Sequence, residues 1–153
     1  MDFERLAYDS ALRALDKQEA LLDELRGRTG VLLAASALGA SFLGDSAFRE
    51  PVGWLAAVAL VAFVVSIAAS VFILVPRANQ FVFAVSGPNL YVQLFEFRDD
   101  LAEVYRRLAY DLERFWSAND KRLAPLVNAY RLGAGSLVVE ILALVALVSD
   151  TLV

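Results

Sequence analysis

Near the carboxyl end of the chain, one acidic side chain stands inside an apolar run. Glu140 lies in Leu132–Val153, whose other charge, Asp150, is near enough to the far end to reach an aqueous boundary. An ionisable group so placed is a functional candidate, because a charged carboxylate in hydrocarbon is costly and must face protein or water. In one reading, copies of Glu140 surround the axis of an oligomer and line a water-filled path. In the other, a protonated or hydrogen-bonded carboxyl faces Ser66 or Ser70 inside one bundle. Helical spacing puts Glu140 on a stripe with Gly133, Ser136, Ala143 and Leu147. Glu140, Ser136, Ser66 and Ser70 are therefore the candidate pore or bundle polar residues.

Other chemistry is scarce. Cys and His are absent, which removes disulfides, thiolate or imidazole metal sites, and Cys or His nucleophiles and bases. No GxxxxGK[ST], GxGxxG, HExxH or GxSxG motif occurs, and without His the usual activation of a serine is missing. No catalytic, cofactor-binding or metal-ligating residue is assigned, and the expected protein is not an enzyme. A net charge of −4 argues against a nucleic acid polymer as partner, since phosphate binding needs a basic face.

The elements that would hold these side chains are written in the hydropathy. The chain is 59% hydrophobic, above the roughly 45–50% of soluble domains, with a mean hydropathy of +0.56. This apolar content sits in three blocks, Thr29–Gly44, Val52–Val75 and Leu132–Val153. The second has 24 uncharged residues, about 36 Å of helix against a hydrocarbon core of about 30 Å. Trp54 lies one turn inside it, where an indole suits a membrane interface. Ala59, Ala62, Ser66, Ala69 and Ser70 form one small face on it. The first block has sixteen uncharged residues, short of the usual 20, with Arg26 and Arg28 placed to snorkel. Its small residues, among them Ala35, Gly39, Ala37 and Ser41, favour close helix approach. Residues 45–51 are expected to be a tight outer turn that makes the first two spans a hairpin.

Between the apolar blocks the sequence is charged and favours helix. Asp2–Arg28 reads as an amphipathic helix with Leu6, Tyr8, Leu12, Leu15, Leu22 and Leu25 on one stripe. It carries seven acids against five bases, unlike a helix lying on anionic lipid, so a protein partner is expected for the stripe. It also lacks the short apolar core of a secretory signal, so the amino terminus is expected to remain. Phe81–Val85 alternates like a short strand or extended strap, and Ser86–Asn89 reads as a turn. Leu90–Trp116 is read as one helix with a coiled-coil-type seam of Leu94, Phe97, Leu101, Val104, Leu108, Leu112 and Phe115. Asn119 continues that seam. As a candidate assembly or register residue it pairs with itself or with a backbone carbonyl, or else it caps a new helix near Ser117–Asp120, with Pro125 in or near its first turn.

Charge sets the topology. Residues 1–28 and 77–131 carry thirteen Lys and Arg, and the 45–51 turn carries only Arg49. The positive-inside rule then puts the amino terminus in the cytoplasm and the carboxyl terminus outside. The expectation is an all-α membrane protein with three transmembrane helices, a hairpin plus a C-terminal span. Two long cytoplasmic helices form its coiled-coil-like extension, in a single unit over 1–153.

This layout resembles the small bacterial defence membrane effectors grouped as Pycsar transmembrane effectors, and the related SLATT domains. The resemblance lies in LDKQEALLDELRGRTGVLLAASALGASFLG leading into a short first span and in a second span closing in LVPR. It continues in EFRDDLAEVYRRLAYDLERFWSANDKRLAPLVNAYRLG leading to a last apolar helix, and it includes Asn119 and Lys121. It implies an oligomeric inner-membrane effector of a bacterial antiphage system that impairs membrane integrity when activated. A cyclic-nucleotide signal or a neighbouring defence protein would be the input. No ligand-binding residue carries over, because no separate nucleotide-binding domain is present. The alternatives are a small membrane scaffold or accessory subunit recruiting a partner through its cytoplasmic coiled coil, and a small ion channel.

Overall fold

A computed structural model describes residues 3–47, 53–75, 81–83 and 87–151. Four α-helices follow one another: α1 (Phe3–Ala47), α2 (Trp54–Leu74), α3 (Gly87–Leu94) and α4 (Leu101–Thr151), with a 3₁₀ turn at Phe95–Phe97 between α3 and α4. No strand occurs among the described residues. Two helices are long and apolar enough to cross a membrane: α2, and α4 through its carboxyl-terminal part.

Several boundaries differ from the sequence reading. Residues 45–47 continue α1, because no helix breaker intervenes before Pro51; residues 48–51 of the expected turn lie outside the described ones. α2 begins at Trp54 behind Gly53, whose carbonyl accepts from Ala57 N at 3.1 Å. Phe81–Phe83 has no regular secondary structure, and residues 84–86 lie outside the description. Gly87–Asn89 opens α3 rather than forming a turn. Pro88 sits in the first helical turn, where its missing N–H costs nothing. Leu90–Trp116 is not one helix. The chain leaves α3 through the 3₁₀ turn, and α4 starts afresh behind Asp100, whose Oδ1 accepts from Glu103 N at 3.1 Å. Asp100 and Glu103 have the spacing of a capping box. No helix starts at Ser117–Asp120 either. α4 runs through Asn119 and through Pro125 without interruption.

The chain divides into two compact units, Met1–Asp23 with Arg77–Ala124, and Glu24–Pro76 with Pro125–Val153. In the first, α1 and α4 run in the same direction. Tyr8 meets Tyr105 with ring centroids 5.6 Å apart, and Gln18 Nε2 donates to Trp116 O at 3.2 Å. The buried stripe of α1 here is Leu15, Gln18 and Leu22. Leu6 and Leu12, expected on that stripe, are exposed, because a strict alternation of three and four from Leu15 bypasses both. Arg107 lies over the Phe97 ring at 3.8 Å and Arg98 over Phe95 at 4.6 Å, tying the 3₁₀ turn to its neighbours.

The second unit is a three-helix bundle of the end of α1, all of α2 and the end of α4. A Cβ added at Gly133 would meet Ala69 Cβ at 3.2 Å and Leu32 Cδ2 at 3.5 Å, while Ala59 packs on Ala143. α2 therefore runs opposite to α4. Ser36 on α1 bonds Ser66 on α2, and Gly39 faces Glu140, so α1 and α4 are parallel to each other.

Candidate functional site

The polar centre of the second unit is assembled from all three helices. α2 buries Ala56, Ala59, Ala62, Ser66, Ala69, Ser70 and Ile73. Small side chains on this face let the helices approach closely enough for hydroxyls to meet, the packing mode that works where no water drives association. Ser36 Oγ and Ser66 Oγ are 2.8 Å apart. Ser70 Oγ instead donates to Ser66 O of its own helix at 2.8 Å, and Thr29 Oγ1 donates to Leu25 O at 2.7 Å. These two hydroxyls are satisfied locally and do not link helices.

Glu140 is 0% exposed. Its carboxyl lies against Gly39, where an added Cβ would come within 2.5 Å of Oε1. Ser36 faces the same carboxyl but is committed to Ser66, and neither Glu140 oxygen is in a hydrogen bond of good geometry. Glu140 is thus inside one bundle rather than on an outward face. Ser136 is not part of this centre. It is partly exposed and lines a groove of 760 Å³ between α2 and α4, with Val61, Val65, Gly135 and Val139 on its walls and Arg131 at one end.

Asn119 occupies a different place, in the first unit. Its side chain is 1% exposed and makes two bonds to one backbone residue: Nδ2 donates to Val82 O at 2.9 Å, and Oδ1 accepts from Val82 N at 3.1 Å. The carboxamide does for Val82 what a neighbouring strand would do, although Phe81–Phe83 has no regular secondary structure. Phe81 and Phe83 stack with centroids 5.8 Å apart and planes at 2°.

Gly39 was expected among the small residues of close helix approach; Ser36, Thr29 and Gln18 were not singled out from the sequence. A seven-residue count finds them. From Leu15 and Leu22 it reaches Thr29 and Ser36; from Gln18, Leu25 and Leu32 it reaches Gly39. On α4 the same count joins Leu112, Asn119, Leu126, Gly133 and Glu140, all buried.

Comparison with protein-family models, curated proteins and solved structures finds no match to this chain.

Proposed function

We propose that the chain is a membrane protein in which all three helices of the second unit span the bilayer. The observation that carries this is the direction of burial. Inside lie Ser36, Ser66, Ser70, Thr29, Glu140 and alanines, together with Leu32, Ile73 and Leu126; outside lie many large apolar side chains, among them Leu38 (67% exposed), Val61 (63%), Val64 (56%) and Leu142 (63%). Water would favour the reverse, whereas lipid accepts large apolar side chains and leaves polar ones to pair within the bundle. Thr29–Gly44 alone is short for a span. Its support is its partnership with two longer ones, through Ser36–Ser66 and Gly39–Glu140. Arginine placement supports a cytoplasmic amino terminus and an outward carboxyl terminus, and the resemblance of layout supports a bacterial inner membrane.

Within that membrane we infer a non-enzymatic, homo-oligomeric effector of antiphage defence. The helices of the first unit receive a signal and the spans rearrange to open a leak. The defence role is supported by the resemblance of layout, and the leak by the unpartnered carboxyl in the bundle. Inducible expression followed by a potential-sensitive dye and plating counts tests it. Depolarisation and loss of viability, alone or with the neighbouring genes under phage challenge, are expected. Full polarisation and growth under both conditions would reject the effector role.

One observation favours the scaffold reading. α1 and α4 of the first unit leave a groove of 510 Å³ floored by Ala7, Ala11, Ala14 and Ala109 and flanked by Phe3 and Tyr110, both over 70% exposed. Capture of one stoichiometric partner without any conductance would make recruitment the function.

A further inference from the structure

We propose that Glu140 is a proton-binding site, and that the bound proton holds the three helices of the second unit closed. This deepens the membrane reading and rests on it. In a water-free bundle a carboxylate is tolerated beside a countercharge, a metal cation or several donors. Among the described side chains no charge partner faces it. No titratable residue lies between Thr29 and Ser41 of α1 or between Trp54 and Leu74 of α2. On α4 itself Tyr130 and Arg131 lie ten and nine positions back, Arg131 exposed, and Asp150 ten positions ahead.

A metal ion would also lack ligands: no group of three or more acidic, His or Cys side chains comes together among the described residues. Oε1 is packed against the backbone at Gly39, closely enough that even a methyl group would intrude. The two grooves on this unit are lined by other residues. A proton is the cation that fits. Bound to a carboxyl oxygen, it forms an O–H beside Ser36; a turn of the carboxyl lets it donate to Ser36 Oγ, and Ser36 passes its own hydrogen to Ser66 Oγ. One acid and two hydroxyls then link α4, α1 and α2. Release of the proton to water breaks that O–H bond and leaves a charge without a partner. Water entering between Ser36 and Ser66 relieves it, and α1 parts from α2.

Infrared difference spectra of the full chain in lipid bilayers, wild type against Glu140→Gln, read the site directly. At neutral pH the wild type shows the carbonyl band of an undissociated acid that the variant lacks. Raising the pH replaces it with carboxylate bands and lowers the protection of amides around Ser36 and Ser66 relative to their intrinsic exchange rates, while Glu140→Gln, a neutral mimic, keeps that protection throughout. If the variant does not fold, the wild-type band is followed alone against pH and against sodium. A Glu140 that is wholly carboxylate at neutral pH, a band displaced by sodium rather than by alkali, or amide exchange indifferent to its loss would each overturn the proposal. Because the readout is protonation and exchange, its failure is distinct from a failure to depolarise cells.

Discussion

Gly39 is where the smallest change meets the largest consequence. An alanine there adds a methyl group at the position now taken by the Glu140 carboxyl. Overpacking of this kind costs about 1–3 kcal/mol, so Gly39→Ala is expected to lower the melting temperature in detergent, and Glu140→Ala in the same chain to restore part of it. Gly135, with nothing within 4 Å of an added Cβ, is the control. Gly135→Ala should be neutral or slightly stabilising, since alanine suits a helix better than glycine. The serines separate in the same way. Ser66→Ala removes a bond between helices, worth about 0.6 kcal/mol on average in membrane bundles. Ser70→Ala removes a bond within one helix and should cost less when both are measured by thermal unfolding. The small face of α2 was readable from its residue types. Gly39 was readable as a small residue of close approach but not as the contact of Glu140, 101 positions beyond it, and Ser36 looked like one more small residue in an Ala-rich stretch.

At the scale of elements, Asn119 links a helix to an extended segment. Asn119→Leu keeps the apolar seam of α4 but leaves Val82 without its two bonds. The expected result is an intact α4 by circular dichroism with faster amide exchange at Val82, at a cost of about 1 kcal/mol for polar groups that can partly rehydrate. Unchanged exchange at Val82 would mean that other contacts hold the strap. The break between α3 and α4 was hidden for a physical reason. Leu94, Phe97, Leu101 and Val104 keep three- and four-residue spacing on both sides of it, and a one-turn interruption does not disturb that count. The readable cue was local: Asp100 and Glu103 in capping-box spacing. Leu6 and Leu12 mislead for the opposite reason, being apolar yet two positions and one position off the buried stripe.

For the molecule as a whole, the claim that organises the rest is that the second unit is turned toward lipid. The two longer spans were legible in hydropathy alone. The part of α1 was read from its flanking arginines and small residues, not from length: sixteen uncharged residues fall below span length, and among the described residues only α2 and α4 are long and apolar enough to cross a membrane. The absence of Cys makes the test simple. Single cysteines at Leu38, Val64 and Leu142, one on each helix and all exposed, can carry spin labels in the chain reconstituted into bilayers, with Ser10 in the first unit as the aqueous reference. The account predicts that labels at Leu38, Val64 and Leu142 collide with oxygen far more than with a water-soluble nickel complex, and that the Ser10 label does the reverse. A nickel-accessible label at Leu38 with protected labels at Val64 and Leu142 would remove α1 from the membrane, and accessible labels at all three would contradict membrane residence itself.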